Sequence, residues 1–237
     1  MNDLTIIYYT DNTLPPWLRN RCYQELVKAA QGKRIISVSQ KPLPWEDNIV
    51  IDGLNRSHLS LFTQAITGVY EAKTKYVAMA EHDCMYTPEH FEWVPTDDSI
   101  FWYNINHYLA YLELDKYAYV RRKPMSQLIC TKEMFIPAVE EKIHMLKTGF
   151  EIRKGQPGAC EPGVCDNRKA FQAAKSAWWN SMKDVGKEKQ WTAKGFATKL
   201  PNLDIRHGKN FSPGYKVTAE MEELVPWGRL KDYIYNV

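Results

Sequence analysis

The chain has 237 residues, 44% of them hydrophobic and 25% charged, with eight Trp, fourteen Tyr and a formal net charge of +3. This composition excludes a disordered tail, a collagen-like repeat and a coiled coil, and the length is enough to bury about 70% of the surface an unfolded chain exposes. A charge so near balance does not announce a nucleic-acid partner; no stretch reaches the ~20 apolar residues of a membrane span, and the start MNDLTIIYYTDN lacks a secretory signal, so a cytoplasmic location is expected.

In chain order, Leu4 to Tyr9 (LTIIYY) reads as a buried strand, TDNTLPP as a turn, and Trp17 to Ala30 as a helix with apolar residues at helical spacing. Arg34 to Ser39 and Asn48 to Ile51 read as strands two and three, Leu59 to Ala72 as a second helix, and Lys75 to Ala80 as a fourth strand. SIFWYN at 99–104 and two further aromatic strands reach Val120, a helix follows from Lys132 to Lys147, and GQPGACEPG is a loop. A basic helical stretch is expected from Arg168, and NLDIRHG near the end reads as a strand and loop. Alternation of strands and helices predicts an α/β fold, a mostly parallel central sheet flanked by helices, and the absence of a linker predicts a single domain over residues 1–237. Five cysteines, Cys22, Cys84, Cys130, Cys160 and Cys165, are odd in number and lack CxxC pairs, which fits reduced thiols.

Ligands of such sheets bind at the carboxyl ends of the strands. The fourth strand runs VAMA and then stops at Glu81, His82 and Asp83. Acids at a strand end cost desolvation energy unless they are paired or bind a cation. Glu81 and Asp83, two apart on an extended segment, point the same way and can share a hard divalent ion; the alternatives are a helix cap for TPEHF or a lysine pair.

The strand order, the EHD motif and the downstream DIRHG resemble a small GT-A glycosyltransferase, a Rossmann-like family using nucleotide-sugar donors, and EHDCMYTPEHF and PNLDIRHGKNFSPG look most like glycosyltransferase-like proteins of phages. The resemblance covers roughly residues 3 to 211 and implies a DxD-like metal motif at Glu81-His82-Asp83, with Glu in place of the first Asp, a manganese or magnesium ion, and His207 as a late ligand. It also implies a nucleotide-sugar donor, UDP-linked by preference, a nucleotide-sugar-binding half at 1–104 and an acceptor-binding half at 105–237. Tyr9, Thr10 and Asp11 would form the nucleoside edge, with the Tyr9 ring stacking on the base; a plain turn is the competing reading. Arg56 and Ser57, opening the second helix, would meet the diphosphate, against a simple helix cap. A general base in a later loop would be Glu161, with Asp166 second.

From Arg168 to Lys199, eight Lys or Arg against two acids leave a local charge of +6, interleaved with Trp178, Trp179, Trp191 and Phe196. That mixture suits phosphate contacts and base or sugar stacking, and the resemblance to phage proteins implies double-stranded DNA bearing a hydroxymethylpyrimidine as the preferred acceptor, in the host cytoplasm if the gene is a phage's. A solvated helix with a Trp-bearing core face is the plainer reading; a glycan or lipid-linked acceptor, or a non-catalytic nucleotide- or nucleic-acid-binding module, are the alternative functions.

Overall fold

Every residue of the first strand, β1 (Leu4–Thr10), is buried, which requires cover on both faces. In the computed structural model, which describes residues 3–149, 161–164, 169–181, 191–207 and 219–235, two helical layers supply it. Side chains alternate across a strand. Ile7 and Tyr9 therefore face α2 (His58–Glu71) and α4 (Lys132–Lys147), packing with Phe62, Val69, Phe135 and Val139. Leu4, Ile6 and Tyr8 face the other way, onto Leu26 and Ala29 of α1 (Pro16–Ala30). β1 lies between β2 (Ile35–Ser39) and β4 (Tyr76–Glu81), and β4 repeats the pattern: Val77 and Met79 go one way, Ala78 and Ala80 the other. The central sheet is thus a two-sided core, as expected for parallel strands.

Its seven strands follow from β3 (Asn48–Val50), β6 (Phe101–Asn104), β9 (Leu128–Thr131) and β10 (Ala193–Phe196), in the order β10-β6-β9-β4-β1-β2-β3. Only β9 runs antiparallel to its neighbours. The expected mostly parallel sheet flanked by helices is the observed architecture. Among the described residues no helix is long and apolar enough to cross a membrane.

A second, five-stranded sheet was not foreseen. It joins β5 (Cys84–Met85), β7 (His107–Tyr111), β8 (Lys116–Tyr119), β11 (Asn202–Arg206) and β12 (Ala219–Met221) in the order β12-β8-β7-β11-β5. Met85, Tyr117, Leu203 and Ile205 pack there against Leu18 and Cys22 of α1 and against Trp227 and Leu230. The chain leaves the first sheet at Glu81 and enters the second at Cys84, so the acidic motif is the crossing point between them. Antiparallel pairing of Leu203 with Met85 and of Asp204 with Cys84 lays β11 along that crossing.

The helix expected from Arg168 is α5, described over Lys169–Ser181, and by residue 193 the chain is strand β10, not helix. Lys175 is buried and ion-paired with Glu141 of α4; Trp178, Trp191 and Phe196 are buried as well, with Trp191 Nε1 donating to Glu141 Oε2 at 3.0 Å. In the described part of this stretch, then, Trp178 and Trp191 are core and Lys175 is not a surface phosphate contact. Lys183, Lys187, Cys160 and Cys165 lie outside the described residues.

Candidate functional site

Three strand ends meet at one cavity. β1 and β4 are paired in parallel, Tyr9 opposite Glu81, so the residues that follow them emerge side by side. Asp83 O accepts from Ile205 N at 2.7 Å, which pins the crossing segment to β11 and carries His207 alongside it. The cavity holds about 580 Å³ and is lined by Thr10, Asp11, Gln40, Arg56, Glu81, His82, Asp83, Arg122, Glu161 and Arg206 among others.

The imidazole of His82 is held on its Nδ1 side, 2.6 Å from Thr10 Oγ1 and 3.6 Å from Asp11 Oδ1. Asp11 is itself fixed: it accepts from Thr13 N at 3.0 Å and Thr13 Oγ1 at 2.7 Å, and Arg56 Nε lies 3.1 Å from its other oxygen. Partial burial would raise the Asp11 pKa, but these hydrogen bonds and the His82 and Arg56 charges win and lower it. Asn12, at φ 59°, latches this turn to the end of β2 by accepting from Gln40 N and Lys41 N at 2.8 and 2.9 Å.

Asp83 is 8% exposed, and His207 Nε2 lies 3.8 Å from its Oδ2. Burial alone would raise its pKa; the His207 hydrogen bond, then the His82 and Arg206 charges, outweigh it and hold the carboxyl at about 2. Glu81 behaves oppositely. Desolvation, then the Asp83 charge, push it up to about 7, although Tyr9 donates a 2.9 Å hydrogen bond to its Oε1. Of the two acids, Asp83 is the one kept ionised.

Ligand atoms of His82, Asp83 and His207 all lie within 4.8 Å of one another, and those of Glu81, Asp83 and Cys84 form a second such group. Two imidazoles and a carboxylate make a donor set that fits a divalent transition ion such as manganese better than the all-oxygen shell favoured by magnesium or calcium. The Thr10 and Asp11 contacts on His82 supply the outer-shell support that ligating imidazoles commonly have. Glu81, desolvated and engaged by Tyr9, is the weaker candidate.

The other sequence candidates are distributed unevenly. Tyr9 is 4% exposed, because its parity with Ile7 sends the ring under α2. The ring packs with the core beneath α2, while Tyr9 is also among the residues that line the cavity. Ser57 caps α2, its Oγ accepting from Ser60 N at 3.1 Å, so the simple cap is realised while Arg56 beside it turns to Asp11. Glu161, distant in sequence, lines the same cavity. Its turn is held by Tyr103 Oη donating to Pro162 O at 2.8 Å and Val164 N donating to Glu161 O at 3.1 Å. Asp166 lies outside the described residues. Sequence reasoning did not single out His82 as a candidate ligand and missed Arg122, Asp204 and Arg206 altogether. The signal for the last two was present as DIR, alternating charges on a strand otherwise apolar.

No protein-family model matches the chain, and no curated protein matches it in sequence. Among solved structures it is similar to one described as a glycosyltransferase involved in the glycosylation of the major capsid of PBCV-1, at 9% identity and a TM-score of 0.41, over 82% of this chain and 81% of that one. A likeness of that size carries no functional argument; the residues at the cavity must carry it.

Proposed function

We propose that this protein is a metal-dependent glycosyltransferase of the GT-A type, with one domain over residues 1–237, moving a sugar from a nucleotide-sugar donor, UDP-linked by preference, to an acceptor hydroxyl. The observation that supports it most is the convergence on one cavity of His82 and Asp83 with Asp11, Arg56 and Glu161, with the ligand atoms of His207 within 4.8 Å of those of His82 and Asp83. Bound there, a divalent ion would neutralise charge developing on a diphosphate leaving group. The chain's own groups do the rest. Thr10, Asp11 and Gln40 offer polar edges to a nucleoside, and Arg56 sits at the α2 N-terminus, where backbone amides favour a diphosphate. Glu161 takes the acceptor hydroxyl's proton at its carboxylate as that oxygen attacks the anomeric carbon.

For the acceptor, a 5-hydroxymethylpyrimidine in phage DNA is our first choice, on the resemblance of the EHD and DIRHG blocks; a glycan or lipid-linked saccharide is second. The test is mass spectrometry of a panel of nucleotide-sugars incubated with the protein and manganese, with hydroxymethylated duplex and simple saccharides as acceptors. Manganese-dependent release of nucleoside diphosphate, lost in Asp83→Asn, is the expected result. No turnover and no nucleotide binding with any donor would overturn the enzyme reading and leave a scaffold without this chemistry.

A further inference from the structure

Beyond the metal ligands, the cavity wall contains an arrangement that the reaction as described does not use. Arg206, which closes β11, and Arg122, in the segment after β8, approach the same oxygen: Arg206 Nη2 donates to Asp204 Oδ2 at 2.8 Å, and Arg122 Nη2 donates to that atom as well. Asp204 and Arg206 are two apart on one strand and so share a face. Side-chain exposures of 21% for Arg122, 9% for Arg206 and 6% for Asp204 make this a largely desolvated wall, and all three residues line the cavity.

Two guanidinium groups thus meet one carboxylate in a wall where burying charge is costly. Glu81 and Asp83 lie within electrostatic range of these arginines, but Asp83 also faces His82 and His207 as part of the ligand set. Asp204 meanwhile fixes both forks in place. Guanidinium forks match the oxygens of a phosphate in paired hydrogen bonds, and a fork already held in position loses little freedom when an anion arrives.

We propose that Arg122 and Arg206, clamped by Asp204, form an anion subsite that receives a phosphate group of a substrate. It deepens the proposed function, resting on it only for which molecule carries the phosphate. Two sources share the chemistry: the diphosphate of the donor, or a phosphodiester of the acceptor. If the acceptor's is the one bound, DNA recognition sits in this cavity wall and not on the Arg168 to Lys199 stretch.

The experiment is calorimetric titration of the full chain with inorganic pyrophosphate, without metal and then with manganese, for wild type, Arg122→Gln and Arg206→Gln. Wild type should bind, and Arg122→Gln should bind about ten- to a hundredfold more weakly, the size of a lost hydrogen bond to a charged group. Arg206 is buried, so its variant counts only if its thermal melt matches wild type; Arg122, at the edge, keeps the test decisive by itself. Pyrophosphate binding unchanged in Arg122→Gln, or absent in wild type under both conditions, overturns the subsite and leaves a structural ion pair between β11 and the β8 loop. Further titrations identify the source. Weaker UDP binding with manganese in Arg122→Gln assigns the donor diphosphate. Unchanged UDP binding with weaker binding of a short DNA duplex to the UDP-loaded protein assigns the acceptor. If pyrophosphate behaves as expected while no nucleotide binds wild type, the subsite stands and the glycosyltransferase reading falls.

Discussion

At the scale of single residues the two acids of the EHD segment part company. Asp83 is held ionised by His207, His82 and Arg206, whereas Glu81 is desolvated and tied to Tyr9. Removing Asp83 deletes the one carboxylate of the His82, Asp83 and His207 set, so Asp83→Ala should abolish metal-dependent nucleotide binding with the fold intact, while His207→Ala and His82→Ala weaken it. The imidazole content should also make manganese or cobalt bind more tightly than magnesium or calcium. Calorimetry with each ion settles both points, and equal affinity for magnesium would argue for an all-oxygen site built on Glu81. Glu161→Gln should retain donor binding and lose about 100- to 10,000-fold in transfer, since the amide keeps the shape and cannot take the proton. Undiminished turnover at saturating donor would remove Glu161 from the reaction and turn attention to Asp166.

At the scale of elements, two glycines set how closely the layers approach. Gly68 of α2 lies over the central sheet, where a Cβ would come 2.6 Å from Ile7 Cγ2 and 3.1 Å from Val38 Cγ2. Those methyls belong to stiff β-branched side chains in a closed core, so Gly68→Ala should destabilise by about 1–2 kcal/mol despite the better helix propensity of alanine. A Tm drop of about 2–4 °C per kcal/mol is the measure, and a rise would show that α2 can lift. Gly163, at φ 75°, holds the Glu161 turn against β10, where a Cβ would meet Thr192 backbone atoms at 2.9 to 3.0 Å. Gly163→Ala should therefore slow transfer while leaving donor binding unchanged; unaffected kcat would mean that the turn does not position Glu161.

At the scale of the whole molecule, the junction between the sheets carries an acid sensitivity. His90 is pushed down to about 3 by burial and then by the His107 charge, and His107 to about 3 by burial and then by Arg122. Both are neutral in the fold. Below their ordinary value of 6.5 the unfolded chain takes up protons that the folded chain refuses, so stability is intact above pH 6.5 and falls as pH drops toward 3. Each histidine contributes at most about 1.4 kcal/mol per pH unit in that window. His107→Asn keeps a donor toward Asn104 O, which His107 Nδ1 approaches at 3.1 Å, and should lose less stability than wild type in urea melts between pH 7.5 and 5. Parallel losses would show that His107 does not titrate on unfolding.

The same scale separates what the sequence made legible from what it did not. Helices at Pro16–Ala30, His58–Glu71 and Lys132–Lys147 and the strands of the first half rest on local periodicity, and were readable. The second sheet was not, because it depends on β5, two residues long, finding β11 more than a hundred residues later. The burial of Tyr9 was not legible from its type, because it follows from its parity with Ile7 on β1. Lys175 looked like surface charge because its partner, Glu141, lies on another helix. His82 was not singled out within the EHD motif, because its closeness to His207 arises only when β11 brings that residue to the same point.

Crystals soaked with manganese and UDP, measured at the manganese absorption edge, test the proposal that the crossing from β4 to β5 binds a metal and a nucleotide diphosphate. An anomalous peak is expected among His82, Asp83 and His207, with the diphosphate beside it and the nucleoside toward Asp11. A peak elsewhere, or a well-diffracting soaked crystal with neither ion nor nucleotide in this cavity, would contradict it.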